Sequence, residues 1–146
     1  MADELQQYCT LYLDGYYFGV EALKVQEIIL YQEMTHVPLA SPVVRGLINL
    51  RGQIVTALDL RRRLELKDRT DEQQPINVVV HTNEGAVSLL VDEIGDVVEV
   101  PQHLFERPPE TLQGPARELI RGAYKLPDRL LLILDTERTV NLSGGS

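Results

Sequence analysis

Short segments of high β-propensity, each ended by turn residues, run through most of this chain and limit what it can fold into. Gln7–Asp14 stops at an Asp-Gly pair, which is a hairpin signal, and 16–20 follows as the returning strand. Further strands are predicted over Ile76–Thr82 and 86–92. The longest purely apolar run, Leu130–Leu134, is much too short to cross a bilayer. The pattern therefore predicts an all-β protein with short helices.

The middle of the chain gives the clearest local signals. Residues 46–60 predict two strands around an Arg51-Gly52 turn. Asp59 has the side chain of an N-cap, so a short helix is expected to follow it. The charged stretch 65–74 has no periodicity and ends at Pro75, which makes it the strongest linker candidate.

Part of this region recurs later in the chain at a constant spacing of 76 residues, from 45 to 121. The repeat predicts two copies of one small β unit, each followed by a short helix that begins after an aspartate. About five short strands leave exposed edges unless the sheet closes, so a small barrel is the expected form of each unit. Any two hairpins that precede a helix would share some of these features, which is the alternative interpretation. The identical pairs are Arg45 and Arg121, Gly46 and Gly122, Leu50 and Leu126, Leu58 and Leu134, Asp59 and Asp135, and Arg62 and Arg138.

Composition narrows the function. The 146 residues carry a formal net charge of −8 and no basic stripe with interleaved aromatic residues, so nucleic acid is not an expected partner. Trp is absent, so Val, Leu and Ile must fill the core. Cys9 is the one cysteine and is expected to be a small buried hydrophobe. The all-apolar run 130–134 is expected to be buried on both faces, between the two barrels.

The chain shows none of the motifs that catalysis requires. His36, His81 and His103 lack a His or Cys at metal-ligand spacing. There is no phosphate-binding glycine loop, nucleophile elbow or H-E-x-x-H sequence. The acidic cluster 92–96 is better explained as a solvated turn than as a cation site. We therefore expect no enzymatic activity, no metal and no cofactor.

Residues 45–60 read Arg-Gly-Leu-Ile-Asn-Leu-Arg-Gly-Gln-Ile-Val-Thr-Ala-Leu-Asp-Leu, which closely resembles the signature of the CheW family, the scaffold proteins of bacterial chemotaxis. Leu-Lys-Val-Gln-Glu-Ile at 23–28 is also similar to the family, as are Arg121-Gly122 and the segment 125–135. The resemblance extends over roughly residues 7–140, which is nearly the whole chain.

The resemblance implies a single CheW-like domain, 1–146, built from two SH3-like five-stranded β-barrels around a shared hydrophobic core. We expect the first barrel at about 15–82 and the second at about 83–140, with strand 7–14 a candidate to join the second. The implied function is a non-catalytic cytoplasmic adaptor. It would link the cytoplasmic tip of methyl-accepting chemoreceptors to the regulatory domain of the histidine kinase CheA, without inserting into the membrane.

Two candidate site residues carry over from the family. Glu27 matches a residue implicated in partner contact, and Arg51 matches the receptor-contacting arginine. The alternative is a local Glu27–Arg51 ion pair that only orders the turn. Asn49, Arg51 and Gly52 do not recur in the second repeat, which favours recognition at this hairpin tip. An apolar floor for the receptor or kinase, or else core packing, is expected from Val25, Ile28, Leu47 and Ile54.

Two positions depart from the family pattern, and other functions stay open. Thr56 stands where the family usually has proline, and Tyr124 stands where glycine is common. Tyr124 thus places a bulky ring where the family pattern implies a close backbone approach, so the surface of the second barrel is expected to differ in detail. The start at Met1 and the short tail favour a stand-alone adaptor over a regulatory module cut from a larger kinase or receiver fusion. A small-barrel enzyme or ligand-binding domain is the alternative of another class.

Overall fold

Tight turns divide the chain into short strands. The computed structural model describes residues 4–70 and 72–142. The first turn has positive φ at both Asp14 (49°) and Gly15 (84°), as a two-residue hairpin of type I′ requires. The strands are β1 (Leu5–Leu13), β2 (Tyr16–Glu21), β3 (Val25–Ile29), β4 (Val44–Leu50), β5 (Gln53–Asp59), β6 (Ile76–Thr82), β7 (Gly85–Val91), β8 (Glu93–Pro101), β9 (Ile120–Lys125) and β10 (Leu130–Leu134).

Short helices follow two of the hairpins, as the repeat predicts. Asp59 caps α1 (Leu60–Arg63) by accepting hydrogen bonds from two backbone N–H groups, and Asp135 caps α3 (Thr136–Val140) in the same way with one. Sequence reasoning missed α2 (Pro115–Leu119), although Pro115 occupies its first turn, where proline is favoured. One-turn 3₁₀ segments lie at Ala22–Lys24 and Gln102–Leu104.

The strands form two five-stranded sheets, which confirms the expected fold class. One sheet has the order β3-β6-β7-β5-β4 and the other has the order β8-β1-β2-β10-β9. Strand β2 therefore belongs with the later strands, and β7 belongs with the earlier ones. The barrel boundaries expected at residues 15 and 82 are wrong for these two strands. Strand β2 pairs with β1 and β10 in the second sheet, and β7 pairs with β6 and β5 in the first.

The two sheets are copies of one unit in permuted chain order. Strands β4 and β5 correspond to β9 and β10, and both hairpins keep the same register at the 76-residue spacing: Gly46 faces Ala57, and Gly122 faces Ile133. Each hairpin also has an irregularity at the same place, so that Arg45 and its counterpart Arg121 lie at the bulge. The repeated Arg-Gly pair is therefore a structural feature of the fold.

Neither sheet closes into a full barrel, contrary to expectation. The described ladders end at β3 and β4 in one sheet and at β8 and β9 in the other. Isolated bridges instead pair Leu47 of β4 with Thr35, in the segment that follows β3, and Ala123 of β9 with Glu106, in the segment that follows β8. Glycine permits the close approach, because a Cβ atom at Gly46 would lie 2.8 Å from the carbonyl oxygen of Thr35.

Three apolar layers fill the molecule. The largest is shared, because Phe18, Leu132 and their neighbours from one sheet pack with Leu58 and Leu89 from the other. Each curved sheet also encloses a smaller cluster of its own. Tyr124 belongs to one of these clusters and is only 2% exposed, so its bulky ring fills the interior of the second sheet. Residues Leu131 to Leu134 of β10 are buried, as expected for a strand covered on both faces, whereas Leu130, which was included in that expectation, is exposed.

Arginine side chains on α1 fix the junction between the two sheets through ion pairs and hydrogen bonds. Arg61, on α1, donates to Asp92, which lies between β7 and β8 (Nε to Oδ1, 2.9 Å), and it lies 3.8 Å from Asp14 in the β1–β2 turn. Arg63 donates to the last carbonyls of α3, including that of Thr139 at 2.8 Å. The basic run 61–63 is therefore used inside the fold rather than presented to an anionic partner.

The shared core predicts a sharp difference between two leucines of β10. Replacing Leu132, which is 5% exposed, by Asp would place an unpaired charge in the shared layer and should unfold the protein. The matched control is Leu130→Asp, because Leu130 is 36% exposed and should tolerate the charge. Circular dichroism and size-exclusion chromatography would report both. A well-folded Leu132→Asp variant would contradict this placement.

Asp92 predicts a loss of stability in acid. Burial opposes its ionisation, but hydrogen bonds from Arg61, the Asp14 N–H and Arg69 outweigh burial and hold the pKa of Asp92 below its usual value. The contribution of ionised Asp92 to the free energy of unfolding is therefore fully present above the unfolded-state pKa of about 4, and it is lost as the pH falls through the folded-state pKa.

Removing the charge tests this contribution. Asp92→Asn should cost about 1.5–3 kcal/mol at pH 7 and should flatten the acid limb of the stability curve. Urea unfolding at several pH values would measure it, with the exposed Asp96→Asn as control. An unchanged acid limb in Asp92→Asn would assign the acid sensitivity to other carboxylates.

Candidate functional site

The β4–β5 hairpin carries the candidate site at its tip. Leu50 faces Gln53 across a two-residue turn, and both central residues have positive φ: 53° at Arg51 and 84° at Gly52. This is a type I′ turn, whose twist matches that of the flanking strands. The left-handed conformation is ordinary for glycine but unusual for arginine, so the tip holds Arg51 in a conformation that costs free energy.

Asn49 supports the turn from within β4. Its side-chain Oδ1 accepts a hydrogen bond from the Gly52 N–H at 2.9 Å. An Asn side chain often satisfies a backbone donor in a turn in this way. Asn49 and Gly52, the two candidate residues next to Arg51 in the hairpin tip, are therefore hydrogen-bonded to each other.

Glu27 and Arg51 form a two-pronged ion pair. Nη1 of Arg51 donates to one carboxylate oxygen of Glu27 at 2.7 Å, and Nη2 donates to the other at 2.9 Å. The hydrogen bonds to Glu27 raise the pKa of Arg51. The Arg51 side chain is 75% exposed and that of Glu27 is 17% exposed. The Glu27–Arg51 ion pair, which was the alternative interpretation of these two residues, is thus present, and its arginine side chain is exposed to solvent.

This pair joins two parts of the sheet that no ladder connects. Glu27 lies on β3, at one end of the strand order, and Arg51 follows β4, at the other end. Further along β4, the Thr35–Leu47 bridge connects the strand to the segment that follows β3. The candidate site therefore lies at the open seam of the first sheet, where side chains supply the connection that strand pairing does not.

The four apolar candidates do not form one floor. Leu47 and Ile54 lie on the same face of the hairpin as Asn49, because Asn49 faces Ile54 across the ladder and Leu47 is two residues away. Ile54 is 61% exposed. Ile28 lies on β3 and is 42% exposed, whereas Val25 is half-buried against the shared core. Core packing, the alternative interpretation, describes the position of Val25.

A groove beside Ile54 has no counterpart in the sequence analysis. Its volume is about 350 Å³, and it lies between β5, β7 and the end of α3. No sequence signal indicates it, because residues more than 80 positions apart line it and only the packing of α3 brings them together. The apolar lining residues are Ile54, Leu58, Ala86, Val87, Val140 and Leu142.

The equivalent tip of the second unit is built differently. Its turn has Pro127 and Asp128 at the positions that correspond to Arg51 and Gly52. The nearby Arg129 lies with its guanidinium carbon 4.7 Å from the ring centre of Tyr17 and donates to the Tyr12 hydroxyl at 2.6 Å. The second tip therefore keeps its arginine against its own aromatic side chains.

Two further properties of the described residues bear on function. Across 4–70 and 72–142, His, Cys, Asp and Glu side chains form no group of three or more placed to hold a metal ion. Within the same ranges, no helix has the length and apolar content needed to cross a bilayer.

Comparison with known proteins places the chain in a family. The model of the CheW-like domain matches residues 7–143. The chemotaxis protein CheW of Bacillus subtilis is 30% identical over 129 residues, which cover 88% of this chain and 83% of that protein. The chemotaxis protein CheW of Treponema pallidum is 28% identical over 140 residues, which cover 93% of this chain and 82% of the relative.

The fold is also found among solved structures. The crystal structure of the scaffolding protein TtCheW from Thermoanaerobacter tengcongensis superposes with a TM-score of 0.85 at 22% identity, covering 98% of this chain and 92% of that one. Since the domain match extends over nearly the whole sequence, the chain belongs to the CheW family.

Proposed function

We propose that this protein links the cytoplasmic tips of methyl-accepting chemoreceptors to the regulatory domain of the histidine kinase CheA, and that the Arg51 hairpin tip is a contact surface. As a member of the CheW family, the chain is a coupling adaptor of chemotaxis-type signalling. It works in the cytoplasm by binding partners rather than by catalysis. The observation that supports the site best is the exposed, two-pronged Glu27–Arg51 pair.

The conformation of Arg51 supports a role in binding rather than in stability. Asn or Gly would occupy a left-handed turn position at lower cost, since this turn type prefers them. An exposed ion pair contributes only about 0–1 kcal/mol to the free energy of unfolding. Arginine at position 51 is therefore a poor choice for folding alone, and its exposed guanidinium supplies a different reason for its presence.

The geometry of the pair also indicates the chemistry of the partner. Both contacts to Glu27 use the terminal Nη atoms, which leaves the Nε–H and the outer Nη hydrogens directed away from Glu27. The Nε–H and the outer Nη hydrogen on the same side form a second planar edge that fits a carboxylate or a backbone carbonyl. Glu27 thus holds the guanidinium in place while the outer edge meets the partner. The exposed Ile54 and the half-buried Leu47, on the hairpin face that carries Asn49, supply apolar contacts beside the tip, and Ile28 offers a further exposed apolar side chain on β3.

Charge reversal tests the contact. Arg51→Glu should weaken binding to a receptor cytoplasmic fragment by at least about thirtyfold, because an anchoring arginine at an interface typically contributes about 2 kcal/mol or more. Thermal unfolding should change little, because the side chain is exposed. A pull-down and a calorimetric titration would measure binding, with Arg117→Glu, on the exposed side of α2, as control. If the melting temperature of Arg51→Glu collapses, Arg51 is structural and the site assignment is wrong.

A second pair of variants separates charge from shape. Arg51→Asn should keep or slightly raise stability, because Asn tolerates the left-handed turn, while binding is lost. Arg51→Lys keeps the charge but lacks the planar edge, so it should restore little binding. Differential scanning calorimetry and titration of the same samples would show both effects. Full binding by Arg51→Lys would mean that charge alone is recognised.

A further inference from the structure

We infer that Asn49 is a positioning residue, which acts on partner binding through the backbone of the turn and the orientation of Arg51. The inference rests on the proposed function and gives Asn49 a role different from that of a direct contact. It is carried by the hydrogen bond from the Gly52 N–H to Asn49 Oδ1 and by the positive φ of Arg51.

The hydrogen bond acts on Arg51 because of where its donor lies. The Gly52 N–H belongs to the peptide group that joins Arg51 to Gly52, so fixing this N–H fixes the rotation of that peptide. In a two-residue hairpin turn the central peptide is outside the strand ladder and has no strand partner. Asn49 therefore stabilises one of the two peptide groups whose orientation sets the direction in which the Arg51 side chain leaves the chain.

Two constraints then hold Arg51 from opposite ends. Asn49 fixes the backbone of the turn, and Glu27 fixes the guanidinium at 2.7 and 2.9 Å. A long arginine side chain otherwise loses considerable rotamer freedom when it binds a partner. Because both ends are fixed before binding, less of this cost remains to be met in the complex. Asn49 contributes to affinity in this way without touching the partner.

The inference predicts graded effects on binding to a receptor cytoplasmic fragment. Asn49→Ala should weaken binding by about two- to tenfold, as expected for the loss of one hydrogen bond. Asn49→Asp keeps an acceptor for the Gly52 N–H and should recover most of the affinity. In an Arg51→Ala background, Asn49→Ala should cause no further loss, because a residue that acts through Arg51 has nothing left to position.

A second hairpin offers a matched control. Thr82 accepts a hydrogen bond from the Glu84 N–H at 3.0 Å and donates to the Gly85 carbonyl at 2.8 Å, so it supports the β6–β7 turn in a similar way. Thr82→Ala should lower thermal stability about as much as Asn49→Ala does but leave binding unchanged. Equal binding losses in the two variants would mean that general destabilisation, rather than positioning, explains the effect.

Nuclear magnetic resonance of the free protein tests the inference without a partner. In the wild type, the Arg51 Nε–Hε signal and the backbone coupling of Arg51 should report one ordered conformation. Asn49→Ala should broaden the first and average the second, and Asn49→Asp should restore both. Unchanged Arg51 signals in Asn49→Ala would overturn the inference.

The binding outcomes separate the inference from the proposed function. If Asn49→Asp binds as weakly as Asn49→Ala while its Arg51 signals are normal, Asn49 contacts the partner directly and the inference is wrong. If the wild type binds neither a receptor fragment nor the kinase regulatory domain, the proposed function fails. The Arg51 signals of the free variants would then still decide whether Asn49 positions the arginine.

Discussion

Both sheets depend on the apolar layer that they share. Each five-stranded unit encloses only a small cluster of its own, whereas the layer between the units is larger and contains buried residues from both sheets and from the three helices. A domain of about 60 residues is marginally stable by itself, so neither unit is expected to hold its fold without the other. The Arg61–Asp92 pair and the contact of Arg63 with α3 lie at the same junction and fix the relative placement of the units.

The shared layer also explains why the site lies where it does. Residues of β5 that face the other unit, such as Leu58, are buried, while Ile54, further along the same face, extends beyond the covered region and is exposed. The hairpin tip is therefore rigidly supported at its base and open at its end. Such an arrangement lets a turn present a side chain to a partner while most of the strand serves the core.

Sequence reasoning predicted the elements better than their assembly. The Asp-Gly turn and the two aspartate caps depend on residues close in sequence, and the 76-residue repeat is the recurrence of such local signals; each is present. The assignment of β2 and β7 failed, because the repeat is permuted and strand pairing between distant segments leaves no local signal. The burial of Tyr124 also leaves no local signal, since its ring packs against Tyr8 and Phe105, which come from distant segments.

The sequence by itself determined the strand content, the repeated unit, the family and the identity of Glu27, Arg51, Asn49 and Gly52 as residues of interest. These depend on local propensity and on a recognisable motif. Only the tertiary structure decided that the sheets stay open, that Glu27 meets Arg51 across the seam, and that α3 lines a groove beside Ile54. Each of these depends on where two distant segments come to rest, and that is set by the burial of apolar surface common to both units.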